Sequence, residues 1–227
     1  LLTNNGVLTL SGNMEVATVT DSNGKVVVGS ETDGGVAPGQ LYADQLVLGD
    51  ANVTGSTASL ILRHTSDNYI FDDGLTNANA IVGNGTISNL AGTTILNKDS
   101  STFTGATTVS GGILQVNGNL GGTMAVEADG RLEGIGTVGD TNNNGVIAPG
   151  KVRYGSPFGA LTINGNYTPG VSGTLEIDTV LGDDSSQTDL LQINGNTSGN
   201  TMVSVINRGG LGAETKRGIE IVAVNGS

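Results

Sequence analysis

The chain has 227 residues, enough for one or two domains with a core of their own, and its 9 Lys and Arg against 21 Asp and Glu leave a formal net charge of −12. The cations never cluster beyond Lys151 with Arg153 and Lys216 with Arg217, so a phosphate backbone or an anionic membrane finds no basic patch, and nucleic acid is excluded as a partner. With no Cys there is no disulfide and no cysteine-based zinc site, and no apolar run approaches the ~20 residues of a membrane helix.

The 38 Gly and the short aliphatic packets predict an all-β chain, because few stretches carry the i, i+3, i+4 apolar spacing of an amphipathic helix. In chain order the packets are Val7 to Leu10, Lys25 to Val28, Gln45 to Leu48, Ser59 to Leu62, Asn68 to Phe71, Gly85 to Ile87, Thr93 to Leu96, Ala106 to Val109, Gly112 to Val116 and Met124 to Val126. Turn residues separate them at Asp72-Asp73-Gly74, Gly83-Asn84-Gly85, Asp129-Gly130 and Thr141-Asn142-Asn143-Asn144-Gly145. Strands of three to five residues at roughly ten-residue spacing allow a sandwich, a barrel or a solenoid. The near absence of large aromatics, 3% of the chain, favours the solenoid. A rung of about 20–25 residues gives six or seven rungs over residues 1–147, the expected body of a parallel β-helix.

An aliphatic residue followed by Asn-Gly-Asn recurs at 116–119, 163–166 and 193–196, each time ending an alternating run. Asn-Gly is expected to supply left-handed backbone for sharp bends, and corner Asn side chains are expected to bond the equivalent Asn one rung away. After Gly145 the alternating runs lengthen: Gly159 to Asn164, Gly173 to Asp178, Met202 to Ile206 and Gly218 to Val224. Three of the four prolines, Pro149, Pro157 and Pro169, also fall there. A solenoid with a bare last rung exposes edge strands and core, so residues 148–227 are read as a C-terminal β-rich cap.

Candidate chemistry is sparse, and each candidate has a structural reading beside it. His64, the single histidine, follows Leu60-Ile61-Leu62 and reads as a strand-end residue rather than a catalyst. The adjacent carboxylates Asp72-Asp73 and Asp183-Asp184 suit a glycoside hydrolase or a calcium site only if they face a common ligand. The seven aromatics that would form sugar platforms (Tyr42, Tyr69, Phe71, Phe103, Tyr154, Phe158 and Tyr167) are scattered, and turn formation is the favoured role for the Asp pairs. Asn4-Asn5, Asn142-Asn143-Asn144 and the Thr-rich stretches offer a polar face for repeated weak contacts, or simply the bends of a solenoid. No catalytic, cofactor-binding or metal-binding residue is assigned.

The stretch Phe103-Thr104-Gly105-Ala106-Thr107-Thr108-Val109-Ser110-Gly111-Gly112-Ile113-Leu114-Gln115-Val116 resembles the strand repeat of bacterial autotransporter (type V secretion) passengers. Gly145 to Gly150, Gly159 to Tyr167, Asp189 to Gly195, Gly209 to Thr215 and Gly218 to Gly226 resemble the family's region just upstream of its membrane barrel. Together these matches cover about 97–227, and residues 1–96 fit by style alone.

The resemblance, to AIDA-type and pertactin-like adhesins, implies a right-handed parallel β-helix ending in an autochaperone region. It also implies surface display, an outer-membrane β-barrel following in the full-length protein, and a reason for zero Cys, since the chain would cross a narrow pore unfolded. The chain starts at Leu1 without Met and is read as part of something longer. The expected function is a non-enzymatic passenger segment that promotes folding and secretion and takes part in adhesion or self-association. Its expected partners are host-cell or bacterial surface ligands, itself between cells included. The alternatives are a stalk under an enzymatic head and a carbohydrate-active β-helix.

Overall fold

In the computed structural model, residues 2–4, 7–10, 12–15, 19–21, 23–32, 35–49, 57–150 and 158–227 are described. Asn5, Lys151, Arg153, Tyr154 and Pro157 lie outside the described residues. Strand follows strand along the chain, and all the named strands pair in parallel with the strand one turn earlier or later. One long ladder runs from Val7–Leu10 through Lys25–Gly29, Ser59–Arg63, Thr86–Ala91, Ala106–Val109, Asn119–Val126, Thr137–Asn143, Ala160–Ile163 and Leu190–Ile193 to Val222–Val224. A second runs from Tyr69–Ile70 through Thr93–Leu96, Gly112–Val116, Gly130–Gly134, Val146–Pro149 and Thr174–Thr179 to Met202–Asn207. A shorter ladder joins Leu2–Asn4, Val19–Asp21, Leu46–Leu48 and Ile81–Gly83. This is the expected parallel β-solenoid.

The core follows from the period-two alternation, because residues i and i+2 of a strand share a face. Register places Val26 beside Leu60, Leu60 beside Ile87, Ile87 beside Thr107 and Thr107 beside Met124, all buried. The facing column stacks Tyr69, Thr94, Leu114, Leu132, Ile147 and Leu175. Each fully buried Leu or Ile contributes about 1.5–3 kcal/mol, and each such contribution depends on the rungs above and below being in place.

The Asn-Gly-Asn corners stack as well. Asn117 Nδ2 donates to Asn97 Oδ1, 20 residues earlier, at 2.8 Å. In the C-terminal rungs the spacing widens: Asn194 Nδ2 donates to Asn164 Oδ1 at 3.2 Å across 30 residues, and Asn225 Nδ2 to Asn194 Oδ1 at 2.9 Å across 31. The corner glycines correct one expectation. Gly118, Gly165 and Gly195 are not in left-handed backbone. What excludes a side chain at Gly195 is close approach, for a Cβ there would overlap the Gly165 carbonyl, and one at Gly118 would overlap the Lys98 carbonyl.

Three other elements differ from the sequence reading. Thr141, Asn142 and Asn143 belong to strand Thr137–Asn143 rather than to a turn, because the strand pairs with Tyr167–Pro169 and carries Asn143 into the core. The packet Asn68 to Phe71 shrinks to Tyr69–Ile70, with a 3-10 turn over Phe71–Gly74. The run from Gly218 shortens to Val222–Val224, since the N–H groups of 216–218 are taken by a carboxylate described below.

His64 is buried where the long ladder turns. Its Nε2 lies 3.0 Å from Thr94 Oγ1, and its ring packs edge-on against Tyr69 with centroids 5.0 Å apart. The Tyr69 hydroxyl donates to the Gly39 carbonyl at 2.7 Å. Burial pushes the imidazole below its ordinary value, so the folded chain holds it neutral.

Two outcomes follow from this packing. Gly195→Ala is expected to lower the urea midpoint by the equivalent of about 1–3 kcal/mol. Gly12→Ala, with nothing within 4 Å of its Cβ, should change it by less than about 0.5 kcal/mol; equal midpoints would refute the close-approach account. The single histidine should titrate by NMR with a midpoint below its ordinary value of about 6.5. Because the unfolded chain binds that proton first, its contribution to stability is full above about 6.5 and is lost as pH falls from there through the lowered folded value. The loss should be missing from His64→Gln, and a midpoint at or above 6.5 would contradict the burial.

Candidate functional site

In the C-terminal set of rungs the chain leaves the regular stack and returns to it, and two side-chain knots fasten it there. Here the alternation of Asp189, Leu191 and Ile193 puts a carboxylate on the inward face of strand Leu190–Ile193. Asp189 is fully buried, and its Oδ1 accepts from the Gly159 N–H at 3.1 Å while Oδ2 accepts from the Asp178 N–H at 2.9 Å. It thus ties the start of strand Ala160–Ile163 to strand Thr174–Thr179 of the facing ladder. Asp178 is itself buried, and the Arg208 guanidinium meets it at 2.7 Å.

A second knot closes the other side of the same rungs. Asn143 Nδ2 donates to the Tyr167 hydroxyl and to the Thr174 carbonyl, each at 3.2 Å, and Asn143 Oδ1 accepts from the Gly145 N–H at 3.1 Å. The Tyr167 hydroxyl lies 3.1 Å from Thr201 Oγ1, carrying the link one rung further. Along the corner, Asp140 Oδ1 accepts from the Asn166 N–H, Asn166 Oδ1 from the Asn196 N–H and Asn196 Oδ1 from the Ser227 N–H, at 2.6, 2.9 and 2.9 Å. Each corner side chain caps the backbone of the rung laid on it. On the outer face Arg131 spans rungs, with Nη2 2.7 Å from Glu176 Oε1 and Nε against Glu133; these carboxylates hold its guanidinium pKa above the ordinary value against the pull of burial.

The outermost rung has a different surface. Strands Met202–Asn207 and Val222–Val224 end their ladders, and Met202, Val203, Val205 and Val224 are 70%, 44%, 49% and 41% exposed. A cavity of about 180 Å³ opens among Tyr167, Leu175, Leu191, Ile193, Val203 and Val222.

The residues singled out from sequence are dispersed through this frame. Asp72 is buried and Asp73 exposed, so the two carboxylates face different surroundings. Asp72 Oδ2 accepts from the Lys98 N–H at 2.7 Å, and burial raises its carboxyl pKa against the lowering by backbone hydrogen bonds. Asp183 caps its own turn through Ser185, whose N–H and Oγ lie 2.9 and 2.6 Å from its Oδ1; those bonds hold it below the usual carboxylate range. Asp184 instead accepts from the backbone N–H groups of Lys216, Arg217 and Gly218 at 3.0–3.2 Å, which lowers its pKa likewise. Of Asn142-Asn143-Asn144 only Asn142 is exposed, and Asn143 belongs to the core knot. Among the aromatics Tyr69, Phe71, Phe103 and Tyr167 are buried and Tyr42 is exposed. A search for adjacent carboxylates passes over Asp178 and Asp189, and continuing the Leu191, Ile193 alternation back two residues is the local signal that finds Asp189 on an inward face.

The sequence of these rungs has relatives. The family model of Autochaperone Domain Type 1 matches residues 136–227. The chain is 41% identical to the Adhesin BmaC autotransporter of Brucella suis biovar 1 (strain 1330) across 98% of its length and 6% of that protein. It is 33% identical to the Probable autotransporter YfaL of Escherichia coli (strain K12) across 66% of its length and 12% of that protein. With the Autotransporter adhesin AIDA-I of Escherichia coli it shares 39% identity across 30% of its length and 5% of that protein. The chain therefore spans 5% to 12% of the length of these three relatives. No solved structure matches it at a significant level. The chain belongs to the autotransporter passenger family: a length of passenger solenoid whose last rungs, from Gly136 on, are its autochaperone domain.

Proposed function

We propose that this segment is a non-enzymatic, surface-displayed part of its passenger, that its C-terminal rungs template the folding of the rungs before them, and that its outer face serves adhesion. The observation that carries the templating role is the continuity of both ladders from the autochaperone rungs into the body. Thr137–Asn143 pairs with Ala160–Ile163 on one side and with Asn119–Val126 on the other. A folded rung thus presents a complete strand edge and half a core to its neighbour. The knots at Asp189 and Asn143 give the terminal rungs hydrogen bonds beyond those of the ladder, which favours their folding first. The long parallel ladder lacks local contacts and nucleates slowly without such a start.

The non-enzymatic reading is supported by what the candidate carboxylates already do: Asp72, Asp183 and Asp184 are engaged with backbone N–H groups. Adhesion is supported by the names of the BmaC and AIDA-I relatives and by the polar outer faces of the rungs. Display on the bacterial surface, with an outer-membrane barrel following in the full-length protein, goes with the same reading.

Deleting 210–226 from the full-length protein is expected to leave the upstream rungs protease-sensitive on the cell surface, and unchanged resistance would remove the templating role. Cells that do not aggregate by themselves should clump or bind host cells once they display the chain; failure to do either would reduce the segment to a stalk.

A further inference from the structure

The last excursion of the chain, from Arg208 to Ile221, has no regular secondary structure, and residues 211–218 are all exposed. It contains Lys216-Arg217, the one place in the sequence where two Lys or Arg residues adjoin. The excursion rests on an earlier one, 180–188, which is a hairpin-like finger: Thr179 and Thr188 form an antiparallel bridge, and the Val180 N–H donates to the Gln187 carbonyl at 2.8 Å. Two contacts join the finger to the loop. The Gly212 N–H donates to the Leu181 carbonyl at 2.8 Å, and the Asp184 carboxylate collects the N–H groups of Lys216, Arg217 and Gly218.

An endoprotease takes its substrate as an extended strand paired through the main chain. In such a strand neighbouring residues face opposite sides, so three consecutive N–H groups cannot converge on one carboxylate. The clasped loop therefore presents basic side chains in a backbone shape that a trypsin-like active site cannot accept. Gly218, with φ of +91°, lets the chain turn away immediately after the clasp.

We propose that Lys216-Arg217-Gly218 is a latent cleavage site for trypsin-like endoproteases, and that Asp184 keeps it shut once the terminal rungs have closed. Cleavage is hydrolysis: the C–N bond after Lys216 or Arg217 breaks, water gives its hydroxyl to the carbonyl carbon, and its proton goes to the departing amine. The cut leaves strand Val222–Val224 without a covalent link to the rungs before it, held to them by its pairing with Leu190–Ile193 and by the corner bonds of Asn225 and Ser227. A passenger whose finger has not docked is cut there, and one whose last rung is closed survives. Closure of the terminal rungs is thereby coupled to survival of the covalent link across them.

The test is limited digestion with trypsin, with cleavage sites mapped by mass spectrometry in the wild type and in Asp184→Ala. Cleavage after 216 or 217 should be at least about tenfold faster in the variant, as the open population rises. Cleavage after Arg131, inside a paired strand, should stay slow in both. Should Asp184→Ala fail to fold, reported by rapid cleavage after Arg131, Gly218→Ala strains the clasp from the loop side and should open the same two bonds. Equal rates after 216 and 217 in wild type and in the folded variant would overturn the proposal. So would wild-type cleavage there as fast as that of a free peptide of residues 210–222.

Discussion

Everything in this chain follows from stacking one rung on another at the separation of paired strands, about 4.8 Å. At that spacing the corner of each rung lies against the backbone of the one below. A Cβ at Gly195 has no room above the Gly165 carbonyl, nor one at Gly226 above that of Gly195. The corner must nevertheless satisfy its polar backbone, and Asn does so without leaving the stack. One Asn of each C-terminal corner bonds its equivalent above, and the other caps the N–H of the next rung. The Asn-Gly-Asn sequence is the chemical answer to one steric constraint.

The same constraint decides what happens to ionisable groups. In a solenoid a side chain faces either a continuous internal column or solvent, and few positions converge on a common point. Asp72 and Asp189 go inward and are consumed by backbone N–H groups. Asp183 and Asp184 go outward and organise excursions. His64 is held neutral against Thr94 and Tyr69. Groups that resemble reagents in the sequence act as fasteners.

The autochaperone rungs differ from the body in how they are fastened rather than in how they pair. Between Asn164 and Asn194 the finger 180–188 leaves the stack and returns within a 30-residue rung, much as the body's Val26 to Leu60 rung spans 34. The finger carries the Asp184 clasp, while the Asp189 and Asn143 knots sit at the ends of ladder strands that run through. At the outermost rung the apolar side chains of Met202, Val203 and Val205 remain in contact with solvent.

The sequence by itself determined the class of fold and the family, because alternation, corner chemistry and the Gly209 to Gly226 run are local signals, whereas rungs expected at about 20–25 residues range from 17 to 34 along the long ladder. It also placed Asn residues at the corners and expected them to bond between rungs, as Asn97 with Asn117 and Asn164 with Asn194 do. Only the tertiary structure decided why the corner glycines are glycine, since close approach by a residue 20 or 30 positions away leaves no trace in the local sequence. It likewise decided that Asn143 lies in the core while Asn142 faces solvent, and that Asp184 reaches residues 216–218. Register across rungs of unequal length sets those partners, and register is a property of the whole stack.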